Sequence, residues 1–540
     1  MSRFMSESRS YPILLILVIG IYGAYVLSSA VNVPWFDDID AFVDAFLLFD
    51  QAPTIWAKGK ELIEPNNEHR MWLGKTAGIV LTYMTGELNF KWLIWIQNLV
   101  LLGIIYLLHQ LHGRYVWTLL IALFILTPQY HLSSNWAITG WQHMGVLAMG
   151  LLTLVCLLRY KDHLITFSCL FLTIFTMSNG MLFWTAGLVL LFLRRDWRLM
   201  LLWFVVGLLG VWLYFYGFDS STNQQAFSYF RENPGLSIAC FFVFIGNNGD
   251  WFKLLPLQTR GLIAGLWGFL FLSWMLWNAW RFWTQVPDAQ KSEKLWVLVG
   301  FLVFLLGNAL LIGILRARYG FEVMLVGNYR IYSAFFFGFT VLWHVWINKT
   351  LGKSTNQLPL LVFGFTFFFV SYFISWPEID QRKRNLLAAA FNQEKEGIGL
   401  AAQRGSFLLS YIDEKMKALS KAGHYHYPSY FPTTLIERLP YQPARAGIHL
   451  VQQNDWLYHD PIQEAEAVYM VFSQGKHRYV LPMSHPQAAN RFGMPVSKPG
   501  YILQLPRLFF EKETYQVSFL YLKSNNFTPI HTSHTVLIDQ

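Results

Sequence analysis

Residues 11–40 read YPILLILVIGIYGAYVLSSAVNVPWFDDID, and the two halves of that stretch decide the class of the fold. Tyr11 to Val31 carries no charge, follows Arg3 and Arg9, and is long enough to cross a bilayer. Ser28-Ser29-Ala30 has the look of a signal-peptidase site, but the run is longer than a usual signal core, so a retained helix is expected. From Pro34 onward the chain lies outside the cytoplasm on either reading. There Asp37 and Asp38 stand at the edge of a membrane, where carboxylates are costly and mark function by default. The competing reading is a hydrated loop whose acids cap a helix.

Composition agrees with the first half of the stretch. The 540 residues are 54% hydrophobic, 18% aromatic and only 14% charged, too apolar for a soluble protein of this size. The fold class is a polytopic α-helical membrane protein. The net charge of +9 is no nucleic-acid signature, because much of the basic excess sits in short loops between apolar runs. Cys156, Cys169 and Cys240 all fall in apolar stretches, so no disulfide framework supports the C-terminal part.

Those basic loops fix the expected topology. Spans are expected at Tyr11–Val31, Trp92–Leu108, Val116–Thr127, His143–Leu158, Leu164–Met177, Met181–Leu193, Leu199–Tyr216, Gly261–Trp283, Leu295–Leu315, Ile331–Ile347 and Leu358–Trp376. Met71 to Glu87, interrupted by Gly74, Lys75 and Gly78, stays interfacial, because counting it as a span puts the later basic loops outside. About eleven crossings result, with the N-terminus inside and the C-terminus outside. Leu164 to Leu193 goes out and back around Ser178-Asn179-Gly180 with about 14 residues per arm, roughly 21 Å. Short arms of that kind are tolerated inside protein or along a wet cavity; the outer half of the bundle is expected to be hollow and lined by Pro128–Gln142. The piece Leu236–Ile245 is too short to span and is expected in the interface. So is an amphipathic helix from Ile39, with Ile39, Phe42, Val43, Phe46 and Leu47 on the membrane side and Asp40 and Asp44 off it.

Three domains follow: residues 1–376 in the membrane, with the outer loop at 32–88; a helical connector at 377–427; and an extracytoplasmic, mainly-β domain at 428–540. Glu466–Phe472, Arg478–Leu481, Tyr501–Leu505 and Tyr515–Leu522 alternate like strands between Gly, Pro and Asn punctuation.

The polar clusters carry the chemistry. Glu68-His69-Arg70 closes the first outer loop. Arg316-Ala317-Arg318-Tyr319 and Asn328-Tyr329-Arg330 lie outside between the ninth and tenth spans, against the positive-inside trend. Guanidinium groups bind phosphate by two-pronged hydrogen bonds; contact with lipid headgroups is the alternative. His131, Trp136, Trp141, Gln142 and His143 line a sugar or acceptor site, or else form an interfacial aromatic belt. Asp37, Asp38, Glu68 and His69 match no compact ligand motif, so no metal and no other cofactor is assigned, although a divalent ion is conceivable.

Taken together, a first helix, the acid pair Asp37-Asp38, an interfacial helix, Glu68-His69-Arg70 and a later outer Arg-Tyr element resemble the GT-C superfold. These are polytopic glycosyltransferases that use polyprenyl-phosphate sugars, among them protein O-mannosyltransferases and lipid A aminoarabinose transferases. The resemblance covers about 375 residues. Glu68-His69-Arg70 departs from the His-Pro or similar element that many members carry. The resemblance implies an inverting glycosyltransferase of the bacterial inner membrane, multi-pass, with a cytoplasmic N-terminus and a periplasmic C-terminal domain. It would move a sugar from a polyprenyl-phosphate donor to a glycan, lipid or protein acceptor, among membrane lipids and without nucleic acid. Asp37 or Asp38 would be the base, with Glu68 and His69 beside them. Arg70, Arg316, Arg318, Tyr329 and Arg330 would hold the donor phosphate. A flippase of lipid-linked glycans, or an O-antigen polymerase or ligase, is the alternative.

Overall fold

The computed structural model describes residues 10–538 apart from 67–68, 160–162, 219–222, 438, 440–449, 454, 460–464 and 492. Among the described residues nine helices are long and apolar enough to cross a membrane, and two shorter apolar helices accompany them. In chain order they are α1 Ser10–Ser29, α2 Phe90–His112, α3 Tyr115–Ser134, α4 Ala137–Arg159, α5 His163–Thr176, α6 Ser178–Leu193, α7 Trp197–Phe215, α8 Leu257–Thr284, α9 Glu293–Leu315, α10 Gly327–Thr350 and α11 Gln357–Glu396. The chain is a polytopic helical membrane protein with a C-terminal β region. Every apolar run singled out above is helical, including the two arms around Asn179.

Two compact units form. The first holds the chain up to Ser28, Ala52–Ala77 and Ile94–Trp376. Its centre is α3 and α10, each 94% buried over its apolar window, whereas α7 and α8 are only 22% and 28% buried and present apolar faces outward. Stacked rings join the helices: Phe271 on Phe337 at 3.7 Å, Phe183 on Phe304 at 3.8 Å and Phe301 on Phe339 at 4.4 Å. The helix Pro234–Gly246 packs on α8 through Gly246 and Gly268, where a Cβ on either would collide with backbone.

Most of Pro128–Gln142, expected to line a hollow, is buried. Gln129, Tyr130, Ser133, Ser134 and Asn135 are at most 6% exposed. Tyr25 Oη bonds Ser134 at 2.6 Å and accepts from Asn135 at 2.7 Å, and Gln129 Nε2 donates to Ser371 at 2.6 Å. Some polar groups of this segment pair with one another or with neighbouring helices, whereas Gln129 Oε1 and Trp141 Nε1 are buried without a hydrogen-bond partner among the described residues.

The second unit holds Ser29–Gln51, Gly78–Leu93 and Pro377–Gln540. Pro377 lies within α11 and does not end it, and the division between the units falls at Trp376 and Pro377. The strands are β1 Leu450–Gln453, β2 Trp456–His459, β3 Ala467–Gln474, β4 His477–Pro482, β5 Gln487–Ala489, β6 Pro495–Ser497, β7 Tyr501–Gln504, β8 Thr514–Lys523 and β9 Asn526–Leu537. All pairs are antiparallel, in sheets ordered β1-β2-β7, β4-β3-β8-β9 and β5-β6. Ser524 and Asn525, both at positive φ, make the two-residue turn that matches strand twist in the β8–β9 hairpin. Asn392 of α11 pairs with the edge of β4 in both directions, Nδ2 to Val480 O and Oδ1 from Val480 N, each at 2.8 Å. The amide thus takes up the backbone groups that Val480 presents at the sheet edge.

The segment after Pro34 is packed on this unit, which corrects the expected membrane-lying helix. Ile39, Phe42 and Phe46 are 1–2% exposed. Phe42 lies over Gly78 and against Phe90, and Phe46 meets Tyr83 and His424. Protein, rather than lipid, covers the apolar face.

Candidate active site

The acid pair sits in strained backbone. Phe36 has φ +49°, a left-handed conformation that bulky residues rarely adopt, and Ile39–Asp44 winds as a π-helical turn before the α-helix Ala45–Gln51. Such features persist where surrounding structure enforces them, and they cluster at functional sites. Asp38 is 1% exposed and accepts from Trp35 N at 3.0 Å, while its own N–H donates to Trp35 O. It closes the turn. Asp37 is half-buried, and its carboxylate has no hydrogen-bond or ion-pair partner among the described residues. Burial, and then the charge of Asp40, push its pKa up. The two neighbouring acids therefore have different tasks, one structural and one left available.

Behind them stands α12, Phe407–Lys421. Lys415 Nζ pairs with Asp44 at 2.6 Å. The Tyr411 hydroxyl is pushed up by burial, then by hydrogen bonding to Asp40 and the charge of Asp44.

In the first unit Asn66 and His69 form a tight bridge, with N–H to O bonds in both directions. Glu68 lies outside the described residues. Arg70, expected on the donor phosphate, is otherwise engaged: Nε donates to Tyr214 O at 2.7 Å, Nη2 to Tyr216 O at 2.5 Å and Nη1 to Ile63 O. Its guanidinium also lies 5.2 Å from the Phe218 ring. Each of its three nitrogens donates to a backbone carbonyl, and it ties the loop down.

Several of the other expected residues do converge. Gln142 Nε2 donates to Met71 Sδ at 3.1 Å, and His69 is within electrostatic reach of His143. His143 Nδ1 bonds Tyr332 Oη at 2.8 Å, and its ring meets that of Tyr329 edge-on at 6.0 Å. Tyr332 in turn accepts from Asn179 at 2.7 Å. Trp136 O accepts from Gln97, and Ser133 Oγ donates to Asn328 O, which brings the segment at His131 against that of Tyr329. Trp141 is 5% exposed, buried rather than presented to a sugar. Arg318 donates to Gln225 at 3.1 Å and lies over Tyr319, and Arg316 is half-buried beyond the end of α9.

Arg330 is the residue with the strongest surroundings, and they come from a motif that sequence reasoning missed. The helix Pro234–Gly246 leads into Asn247-Asn248-Gly249-Asp250. Asp250, 1% exposed, takes a fork from Arg260, Nε to Oδ1 at 2.9 Å and Nη2 to Oδ2 at 2.7 Å, and a third bond from Arg330 Nη2 at 2.6 Å. Burial works to raise the Asp250 pKa, but the Arg260 hydrogen bond and the charges of Arg330, Lys253 and Arg260 outweigh it and hold the carboxyl below its usual range. Two guanidiniums share one carboxylate, so the cluster is net positive. Arg330, 2% exposed, keeps Nη1 without a partner among the described residues. The fully buried Asn248 amide likewise has neither its Nδ2 nor its Oδ1 engaged, although its backbone N–H donates to Ser333 Oγ at 3.3 Å. Unengaged donors beside excess positive charge suit an anion. The available signal was a polar turn directly after an apolar run, the same signal that Ser178-Asn179-Gly180 gave.

No family model, curated protein or solved structure matches this chain.

Proposed function

We propose that this chain is an inverting, GT-C-like glycosyltransferase that moves a sugar from a polyprenyl phosphate to a glycan, lipid or protein acceptor at the outer face of the bacterial inner membrane. In this reading α1–α11 all cross, the N-terminus is cytoplasmic and the C-terminal part is periplasmic. The observation that carries it is the buried Arg330–Asp250 pair, joined by the partly exposed Arg260, with the unengaged donors of Arg330 and Asn248. A polyprenyl phosphate leaves without protonation at neutral pH, so its departure needs stabilisation of charge at the phosphate oxygens. Arg330 Nη1 and Asn248 Nδ2 supply donors for that purpose. The acceptor hydroxyl must lose its proton as it attacks the anomeric carbon, and Asp37, with a raised pKa and no internal partner, suits a general base. Attack from the face opposite the leaving phosphate inverts that carbon.

The test is binding of polyprenyl phosphate to the purified protein in detergent. Asn248→Ala and Arg330→Ala should each weaken it about tenfold or more, the equivalent of one charge-assisted hydrogen bond. Unchanged binding in both variants overturns the phosphate assignment. The flippase alternative draws on the buried chain His143–Tyr332–Asn179–Asn308, and it predicts donor binding with no release of sugar.

A further inference from the structure

We infer that the cleft beside α12 in the second unit binds an uncharged oligosaccharide, which makes the acceptor a glycan; only the word acceptor rests on the transferase reading. The cleft has a volume of about 950 Å³, inside the range of roughly 300–1,000 Å³ typical of ligand pockets. Three carboxylates, of Glu394, Glu396 and Asp413, and three ammonium groups, of Lys395, Lys417 and Lys476, line it. The balance is even, and most of these groups are already paired. Glu396 holds His477 Nδ1 at 2.6 Å and Arg478 N at 2.8 Å. Asp413 holds Lys417 at 2.6 Å. A phosphate or a metal cation needs uncompensated charge of one sign. A neutral ligand rich in hydroxyls needs fixed donors and acceptors of both kinds, and this wall offers them.

The rim adds an apolar plane. Phe407 is 80% exposed and stacks on Tyr411 with ring centroids 6.1 Å apart, so one of its faces is open to the C–H face of a sugar ring. The frame is held firmly. Arg404 ties the Gly397–Ser406 segment to Phe509 O, Tyr479 Oη and Glu511. Glu396 and Asn392, one turn apart on α11, pin β4. On α12 the cleft residues Phe407, Ser410, Asp413 and Lys417 alternate with Tyr411 and Lys415, which contact Asp40 and Asp44. One helix therefore bears both the cleft and the support of the acid segment.

The experiment uses the purified full chain on an array of uncharged di- to tetrasaccharides, with uronic-acid oligosaccharides and polyphosphate as charged controls. Binding should be confined to uncharged glycans and persist in about 1 M salt, where the Debye length is about 3 Å. Phe407→Ala, at an exposed position that folding does not need, should weaken it about five- to tenfold. Glu394→Lys should also weaken it, by unbalancing the wall. The inference is overturned if protein that still binds polyprenyl phosphate binds no uncharged glycan, if charged controls bind better, or if both substitutions leave binding unchanged. If glycans bind but polyprenyl phosphate does not, the transferase reading falls and the cleft stands as a glycan site.

Discussion

The segment Pro34–Asp44 and the Asn247–Arg330 cluster both place carboxylates among polar partners, yet they treat charge in opposite ways. Asp37 is partly solvated, lacks an internal partner and is shifted up by burial and by Asp40. Asp250 is enclosed, carries two arginines and is held down. The first arrangement keeps a carboxylate reactive at little cost to folding. The second makes the fold depend on the charge.

The largest effect expected from that contrast is at Asp250. Asp250→Ala leaves Arg330 and Arg260 facing each other with no counter-charge, and breaking a buried pair in this way costs about 3–5 kcal/mol. Thermal unfolding of the purified protein should show it, and a change near zero would mean that Asp250 and Arg330 are more solvated than their 1–2% exposures indicate. Arg330→Ala should cost less, about 1–3 kcal/mol, because the Arg260 fork still holds Asp250 while the Leu325 carbonyl loses its donor.

The pH dependences should have opposite signs. The Asp250 contribution is fully present above the ordinary carboxylate pKa and is lost as pH falls through its depressed value. For Asp37, folding favours the neutral acid, so stability is greatest below the ordinary value and declines as pH rises through the raised one. Asp37→Asn removes that decline, and unfolding titrations of parent and variant from acid to neutral pH should diverge as pH rises. Parallel curves would contradict the raised pKa. The smallest effect belongs to Lys415→Ala, since its pair with Asp44 is only partly buried; about 0–1 kcal/mol is expected in the same unfolding measurement.

Much of the architecture was legible because its causes are local. Apolar runs marked every helix from α1 to α11, and alternation marked β3, β4, β7 and β8. The strand β9 was not legible: NFTPIHTSHTVL is polar and contains Pro529, and it is a strand because β8 pairs with it. Nor does periodicity say what covers an apolar face. Phe42 and Phe46 fit a bilayer as well as they fit Phe90, Tyr83 and His424. At the site, sequence flagged Asp37 and Arg330 as chemically able groups, but it could not assign them partners. Arg70 and Arg330 look alike in sequence; three backbone carbonyls occupy one, and a buried acid leaves a donor on the other. Asp250 gives no signal of its own in sequence, being a single acid between apolar stretches.

The central claim, transfer of sugar from a polyprenyl phosphate, is tested most directly by donor cleavage. Purified protein is incubated with a panel of polyprenyl-phosphate-linked hexoses and pentoses together with glycan acceptors, and the appearance of free polyprenyl phosphate is measured. The account predicts release from at least one donor, reduced about 10²–10⁴-fold by Asp37→Asn in a variant that still folds and binds polyprenyl phosphate. Release that proceeds equally fast in Asp37→Asn, or donor bound by the parent protein and never cleaved, would contradict it.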